Sequence, residues 1–273
     1  MRVSFVTEPG LSSRANEDFI AATPSAVVLL DGAGVPEGLE TGCSHGVRWF
    51  AVELGTRLLA KLVTQTSESL ADALARAIGD VRALHERDCD LDHPGTPAAA
   101  VALLRDSGDQ VQYLVLADCT VVLETRGGIQ AMTDDRIAQV ATAERTERDA
   151  RAGGSSDHTR GQSRLITAQR SYRNREGGYW VASSEPSAAY QAITATVPSQ
   201  HLGRALMMTD GATRLVDTFA LATWDNVLEM LKDKGPEAVV LRVRDAERDD
   251  PQGLRWPRGK RHDDATVALC RFD

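Results

Sequence analysis

The stretch AVVLLDG, residues 26–32, says most about the fold of this 273-residue sequence. Five aliphatic residues end at an aspartate and a glycine, which is typical of a buried β-strand that runs into a turn. Residues 204–208 end in the same way at Thr209, Asp210 and Gly211. Residues 111–117 and 266–272 have a similar composition, so we predict four strands.

Helical periodicity appears between and after these strands. Residues 69–85 repeat leucine, alanine, isoleucine and valine at intervals of three and four, which predicts an amphipathic helix. We also predict helices at residues 42–62, 225–232 and 236–248. Regular alternation of strand and helix is absent, and this favours antiparallel sheet with helices on its outer faces over a parallel sheet.

Residues 144–176 do not follow the pattern. This stretch holds eight arginines and five acidic residues, and a Gly-Gly-Ser-Ser run at 153–156 interrupts it. We therefore expect an irregular, mobile surface excursion. Strand-like segments lie on both sides of it, so we predict one domain over residues 1–273 rather than two domains joined by a linker.

Composition narrows the class of protein. The chain is 42% hydrophobic and carries a net charge of −8 with a pI near 5.3. An acidic surface does not attract nucleic acid or anionic membrane, so neither is an expected partner. Neither a leader segment nor an apolar window of membrane-spanning length is visible, and we expect a cytoplasmic protein.

Cysteine and histidine form no recognisable pattern in the sequence. The four cysteines lack the short spacing of a zinc knuckle or a redox pair, and we interpret them as reduced thiols that mostly pack. The six histidines are scattered, and we interpret all but His262 as surface or packing residues. His262 precedes Asp263, where it would be close to the acidic residues considered next.

Four acidic clusters stand where strands begin or end. They are Asn16-Glu17-Asp18, Asp31-Gly32, Asp210-Gly211 and Asp263-Asp264. Carboxylates gathered at one edge of a sheet repel one another by about 4 kcal/mol per pair at ~4 Å and an effective dielectric near 20, and a cation removes that penalty. Because every donor is an oxygen, we predict Mg²⁺ or Mn²⁺ rather than zinc or copper.

In this order the motifs resemble the PP2C-type (PPM) family of metal-dependent serine/threonine protein phosphatases, especially its bacterial members. The resemblance covers nearly the whole chain. It rests on RANED at 14–18, VLLDGAG at 28–34, Ala-Asp at 117–118, TDG at 209–211 and DDATV at 263–267.

The resemblance implies an α-β-β-α sandwich of two antiparallel sheets flanked by helices, with two metals at one end. Asp31 would bridge both metals, Gly32 would offer its carbonyl, and Asp210 and Asp263 would ligate the first. Glu17 and Asp18 would act near the site, partly through water, and Asp118 would help hold a looser third metal. Arg14 would bind the substrate phosphate, and residues 144–176 correspond to a variable flap beside the site.

Two functions remain open from the sequence. The first is hydrolysis of phosphoserine and phosphothreonine in proteins by a metal-activated water, as part of bacterial signalling. The second is a catalytically weak regulatory relative that binds a phosphoprotein or another regulatory partner. The second is suggested by the altered run at 33–35 and by the spacing of Arg14 from Glu17. The sequence departs from the family pattern also at Arg214, which stands four residues after Asp210 in place of a carboxylate. An N-terminal-nucleophile hydrolase has no support in residues 1–4.

Overall fold

Two five-stranded antiparallel sheets form the centre of the molecule. The computed structural model describes residues 1–36 and 38–272. Its strands are β1 (Arg2–Glu8), β2 (Phe19–Ala22), β3 (Ala26–Gly32), β4 (Ala99–Asp106), β5 (Gln110–Leu116), β6 (Thr120–Thr125), β7 (Gly128–Thr133), β8 (Ile193–Pro198), β9 (Leu202–Met208) and β10 (Ala265–Arg271). One sheet has the order β1-β10-β9-β6-β7 and the other β2-β3-β4-β5-β8.

Helices cover the outer face of each sheet. The α-helices within the described residues are α1 (Gly46–Thr64), α2 (Leu70–His85), α3 (Arg136–Gln139), α4 (Thr142–Asp149), α5 (Ser156–Arg170), α6 (Asp210–Asp217), α7 (Trp224–Lys234) and α8 (Glu237–Asp249). Helices α1 and α2 pack on the sheet that contains β3, and α6 and α8 pack on the sheet that contains β9 and β10. Within the described ranges, no helix is long and apolar enough to cross a membrane.

Strand β3 shows why its sequence is a continuous apolar run. Val27 and Leu29 face the layer between the two sheets, whereas Val28 and Leu30 face α1 and α2. Both faces are therefore covered, and Ala26 through Leu30 have no exposed surface. Each such buried side chain of valine or leucine size contributes about 1.5–3 kcal/mol. This burial holds β3 in place, and with it the aspartate at its end.

The structure confirms the predicted two-sheet sandwich and the four strands and four helices, with ends that shift by a few residues. It contradicts the expectation of an irregular excursion at 144–176, because most of α4 and all of α5 lie there. Ser155 caps α5 by accepting a hydrogen bond from the His158 backbone N–H, and His158 and Leu165 are buried on one face of the helix. The Gly-Gly pair marks only the turn between two helices. That these residues act as a flap, and that 1–273 forms one domain, stay predictions.

Candidate metal centre

Asp31 lies at the end of β3, where both sheets meet. Its neighbour Gly32 admits no side chain, because a Cβ there would lie 2.6 Å from the Glu17 carbonyl oxygen and from a Val47 methyl group. The Asp210 backbone N–H donates to Asp31 Oδ2 at 3.1 Å. This bond joins the end of β3 in one sheet to the start of α6 beyond the other sheet.

Asp210 is held by an equally close backbone contact. It is the first residue of α6, directly after β9, and a Cβ on Gly211 would lie 1.9 Å from the Asp264 carbonyl oxygen. Only glycine allows α6 to start this close to the segment that leads into β10. The glycines at 32 and 211 thus serve close packing, and neither Asp-Gly pair lies in a turn, because the first ends β3 and the second begins α6.

The two neighbouring aspartates before β10 have separate roles. Asp264 accepts the Gly10 backbone N–H at 2.8 Å and the Glu17 backbone N–H at 2.6 Å, one on each oxygen. It therefore fixes the loop that carries Glu17. Asp263 uses both of its oxygens for side-chain cations: Lys260 Nζ donates to Oδ1 at 2.7 Å and Arg214 Nη2 donates to Oδ2 at 2.8 Å.

Asp18 is tied to the sheet that contains β9 and β10 through hydroxyl groups. Its Oδ2 accepts hydrogen bonds from Thr209 Oγ1 at 3.0 Å and Thr266 Oγ1 at 2.6 Å. Both threonines are fully buried. Asp18 is therefore positioned by hydroxyl donors of the other sheet, and its indirect role at the metals stays a prediction.

The electrostatics of the site show a shortage of positive charge. Burial raises the pKa of Asp18 to about 8 and that of Asp118 to about 7. Burial and the charge of Asp210 raise the pKa of Asp31 well above its ordinary value, and burial and Asp263 raise that of Asp210. Several carboxylates thus compete for ionisation in one small region, which is the arrangement that a divalent cation stabilises.

Asp263 is the exception among these carboxylates. Burial favours its neutral form, but the charges of Lys260 and Arg214 outweigh burial and lower the pKa of Asp263 below its ordinary value. Arg214 is itself buried and also donates to the fully buried Glu247 at 2.8 Å. His262 contacts Glu247 rather than any aspartate of the site, with Nδ1 at 2.7 Å from Oε2.

Lys260 is a charged residue of the site that the sequence did not reveal. Its ammonium group pairs with Asp263. Burial raises the pKa of Glu17 above its ordinary value, and the charge of Lys260 opposes this rise. A Cβ on Gly34 would meet Glu17 Oε2 at 2.6 Å and Lys260 Nζ at 3.2 Å, so the two charged groups lie over the same glycine. Its position three residues before Asp263 was the only available signal, because the surrounding loop has no regular pattern.

The remaining predicted residues differ in how closely they join the site. Asp118 is half-buried, and after burial the charge of Asp210 is the next largest cause of its raised pKa. Arg14 is exposed, and its charge is the smallest of those that act on Glu17. The structure therefore brings together Glu17, Asp18, Asp31, Gly32, Asp118, Asp210 and Asp263 and leaves Arg14 at the periphery.

These residues fit a divalent cation of the Mg²⁺ or Mn²⁺ class. All donors are carboxylate or carbonyl oxygens, and the raised pKa values show that their charge is not neutralised by the protein alone. The fit is best around Asp31, Gly32 and Asp210. It is poorer at Asp263, where two protein cations already occupy the oxygens.

No protein-family model matches this sequence, and no curated protein matches it either. Solved structures do match it over its full length. The Mycobacterium tuberculosis serine/threonine phosphatase PstP/Ppp superposes with a TM-score of 0.59 at 15% identity, covering 100% of this chain and 98% of the other.

The chain has the fold of the PPM phosphatases. The Mycobacterium smegmatis PPM Ser-Thr phosphatase MsPP, solved with cacodylate, has a TM-score of 0.58 at 14% identity, with 100% and 99% of the two chains covered. The catalytic domain of PstP, solved with two manganese ions, has a TM-score of 0.54 at 16% identity and 98% and 96% coverage. The PPM fold implied by the motifs is thus confirmed, while the roles of individual residues stay predictions.

Proposed function

We propose that this chain is a metal-dependent phosphoric monoester hydrolase that removes phosphate from phosphoserine and phosphothreonine in proteins. The observation that carries the proposal is the convergence of Asp31, Asp210 and Asp118 at one end of a PPM sandwich, each with a raised pKa. Burying several carboxylates together destabilises the fold unless they bind cations, and carboxylates with such shifted pKa values are common at functional sites.

In this proposal the cations are Mn²⁺ or Mg²⁺. Asp31 would hold two of them, together with the Gly32 carbonyl, Asp210 and Asp263, and Glu17 and Asp18 would act near the site, partly through water. Asp118 would contribute to a third, more loosely held cation. When bound, the cations would supply a water of lowered pKa and would neutralise the phosphoryl oxygens.

The chain's own residues would position the reactants. Asp264 holds the loop of Glu17 through two backbone N–H groups, which keeps that carboxylate over Gly34. Arg14, exposed beside this loop, would bind phosphate oxygens through its planar guanidinium group. Because positioning and charge neutralisation supply most of the catalysis in phosphoryl transfer, no covalent protein nucleophile is needed.

A second candidate function has a specific observation in its favour. Lys260 and Arg214 already pair with both oxygens of Asp263, so the first metal would compete with two protein cations for this carboxylate. A chain with one weak metal position would bind a phosphorylated or regulatory protein partner with slow turnover. The two candidates therefore differ in metal stoichiometry and in rate.

The test combines calorimetry with turnover. Wild type, Asp31→Asn and a control variant at the exposed Asp109 of the β4–β5 turn, Asp109→Asn, are titrated with Mn²⁺ and assayed on a phosphothreonine peptide and p-nitrophenyl phosphate. The proposal expects chelator-sensitive turnover in wild type and Asp109→Asn, and a loss of about 100-fold or more in Asp31→Asn. Metal-dependent turnover at the wild-type rate in Asp31→Asn would rule out the assigned centre. Mn²⁺ binding without turnover in wild type would favour the regulatory candidate.

The biological setting is part of the same proposal. A phosphorylated protein as substrate, a regulatory protein as partner, and a cytoplasmic location in bacterial signalling agree with the acidic surface and with the phosphatases that share the fold.

A further inference from the structure

A second cluster of metal-binding side chains lies away from the carboxylates, on the helical layer over β3. Cys43 and His45 precede α1, His85 is the last residue of α2, and Cys89 follows in the next turn. One ligand atom from each residue lies within 4.8 Å of the other three. Within the described ranges, this is the one group of histidine, cysteine or acidic residues that meets this distance requirement.

We propose that Cys43, His45, His85 and Cys89 form a tetrahedral structural zinc site. Thiolate and imidazole together select zinc, and four protein ligands leave no open position for catalysis. This proposal is independent of the function assigned to the carboxylate centre, which has only oxygen donors.

The distances agree with a tetrahedron around one ion. Bonds of about 2.3 Å to sulfur and 2.0–2.1 Å to nitrogen give ligand–ligand separations of about 3.3–3.8 Å. Cys43 Sγ lies 3.5 Å from His45 Nδ1 and 3.4 Å from His85 Nδ1, and Cys89 Sγ lies 3.4 Å from His45 Nδ1. The two sulfurs are 3.0 Å apart, so zinc would require them to separate by somewhat under 1 Å.

The orientation of His85 points to a ligand. The side chain is buried, and its one polar contact is that of Nδ1 with the Cys43 sulfur on the cluster side, while its Nε2 has no hydrogen-bond partner. Trp49 packs against both imidazoles, with ring centroids 4.3 Å from His45 and 5.0 Å from His85. An apolar cover on the rings limits solvent access and is the kind of surrounding that stabilises a bound metal.

The ligand spacing also fits. His85 and Cys89 are four residues apart, and the Cys89 backbone N–H donates to the His85 carbonyl at 2.9 Å, so both side chains project from one helical turn. The other pair comes from the segment that runs from Gly32 to α1, and the Asp90 backbone N–H donates to the Gly42 carbonyl at 2.8 Å beside it. Zinc here would link the end of this segment, which begins at the carboxylate centre, to the end of α2.

The first experiment uses the whole wild-type chain. Protein purified under nitrogen without chelator is analysed for metal by mass spectrometry, and the zinc-free chain is then titrated with Co²⁺. We expect about one zinc ion per chain and, with cobalt, the sulfur-to-metal charge-transfer absorption of thiolate ligands. Absence of that absorption would overturn the proposal, as would a Cys43–Cys89 disulfide in the intact mass.

Variants separate this site from the carboxylate centre. Cys43→Ser, Cys89→Ser and His85→Ala should each retain less than about a tenth of an equivalent of zinc. The matched controls Cys270→Ala and His201→Ala should retain it, as should Asp31→Asn. If a ligand variant does not fold, the cobalt titration of the wild type still decides. Zinc loss in Asp31→Asn with retention in Cys43→Ser and Cys89→Ser would refute the site.

Discussion

Replacing Lys260 by glutamine should strengthen metal binding at the carboxylate centre. In the structure, Lys260 Nζ donates to Asp263 Oδ1 at 2.7 Å, so the ammonium group and a divalent cation compete for the same carboxylate. Glutamine removes the positive charge and keeps a side chain of similar length. Asp263 then needs a new partner for one oxygen, and the metal can supply it.

The size of the effect follows from the pair's environment. A hydrogen bond between charged groups contributes about 1.5–3 kcal/mol net, and exposure to solvent lowers this value. The Lys260 side chain is 45% exposed and Asp263 is 13% exposed, which places the pair between a surface and a buried bridge. We therefore expect a gain of about 1–2 kcal/mol for Mn²⁺ binding, which corresponds to a dissociation constant about 5 to 30 times lower.

Isothermal titration calorimetry with Mn²⁺ at pH 7.5 or so measures this directly. Lys232→Gln is the matched control, because Lys232 forms an exposed ion pair with Glu229 and its loss changes the net charge equally. The control should leave the dissociation constant unchanged. If Lys260→Gln binds Mn²⁺ as wild type does or more weakly, the ammonium group does not compete with the metal, and our assignment of Asp263 as a ligand is wrong.

Three further predictions concern stability, measured by urea unfolding in the presence of chelator. The pKa of Asp18 is raised from 3.8 to about 8, so its stabilising contribution is complete below about pH 4 and is lost as the pH rises through 8. Asp18→Asn should flatten this dependence of the unfolding free energy on pH. An unchanged slope in the variant would contradict the prediction. Gly211→Ala should destabilise the fold by about 3 kcal/mol, because its Cβ would meet a backbone oxygen at 1.9 Å. The control Gly127→Ala, whose Cβ would have its nearest contact at 3.6 Å, should change the free energy of unfolding by no more than about 0.5 kcal/mol. Arg214→Met should cost about 3 kcal/mol, because it removes a partner from buried Glu247, and a loss no larger than a surface substitution would refute that role.

The sandwich and most of the acidic centre were predictable from local sequence. A run such as residues 26–30 is apolar at every position because both faces of β3 are covered, and that pattern is visible without the structure. Asp31 and Asp210 were visible for a similar reason, since each stands beside a glycine that close packing requires. Each of these signals is local, because it involves residues that are close to one another in the chain.

Residues 144–176 show where prediction of secondary structure from local sequence fails. The helix α5 buries only a few of its residues, among them His158, Gly161 and Leu165, so the apolar periodicity that identifies a helix is weak. A buried histidine whose Nε2 lies 3.0 Å from the Arg258 carbonyl oxygen does not look apolar in a sequence. The contact that stabilises the helix comes from a segment 100 residues away.

The sequence therefore determined which residues become buried strands and where carboxylates follow them, because strand patterns and Asp-Gly pairs are short-range properties. Only the tertiary structure decided how the charges pair. Lys260 and Arg214 neutralise Asp263, and Cys43 approaches Cys89 across 46 residues of chain. Such pairings depend on distances between elements from different parts of the chain, and these distances are set by the packing of helices and sheets.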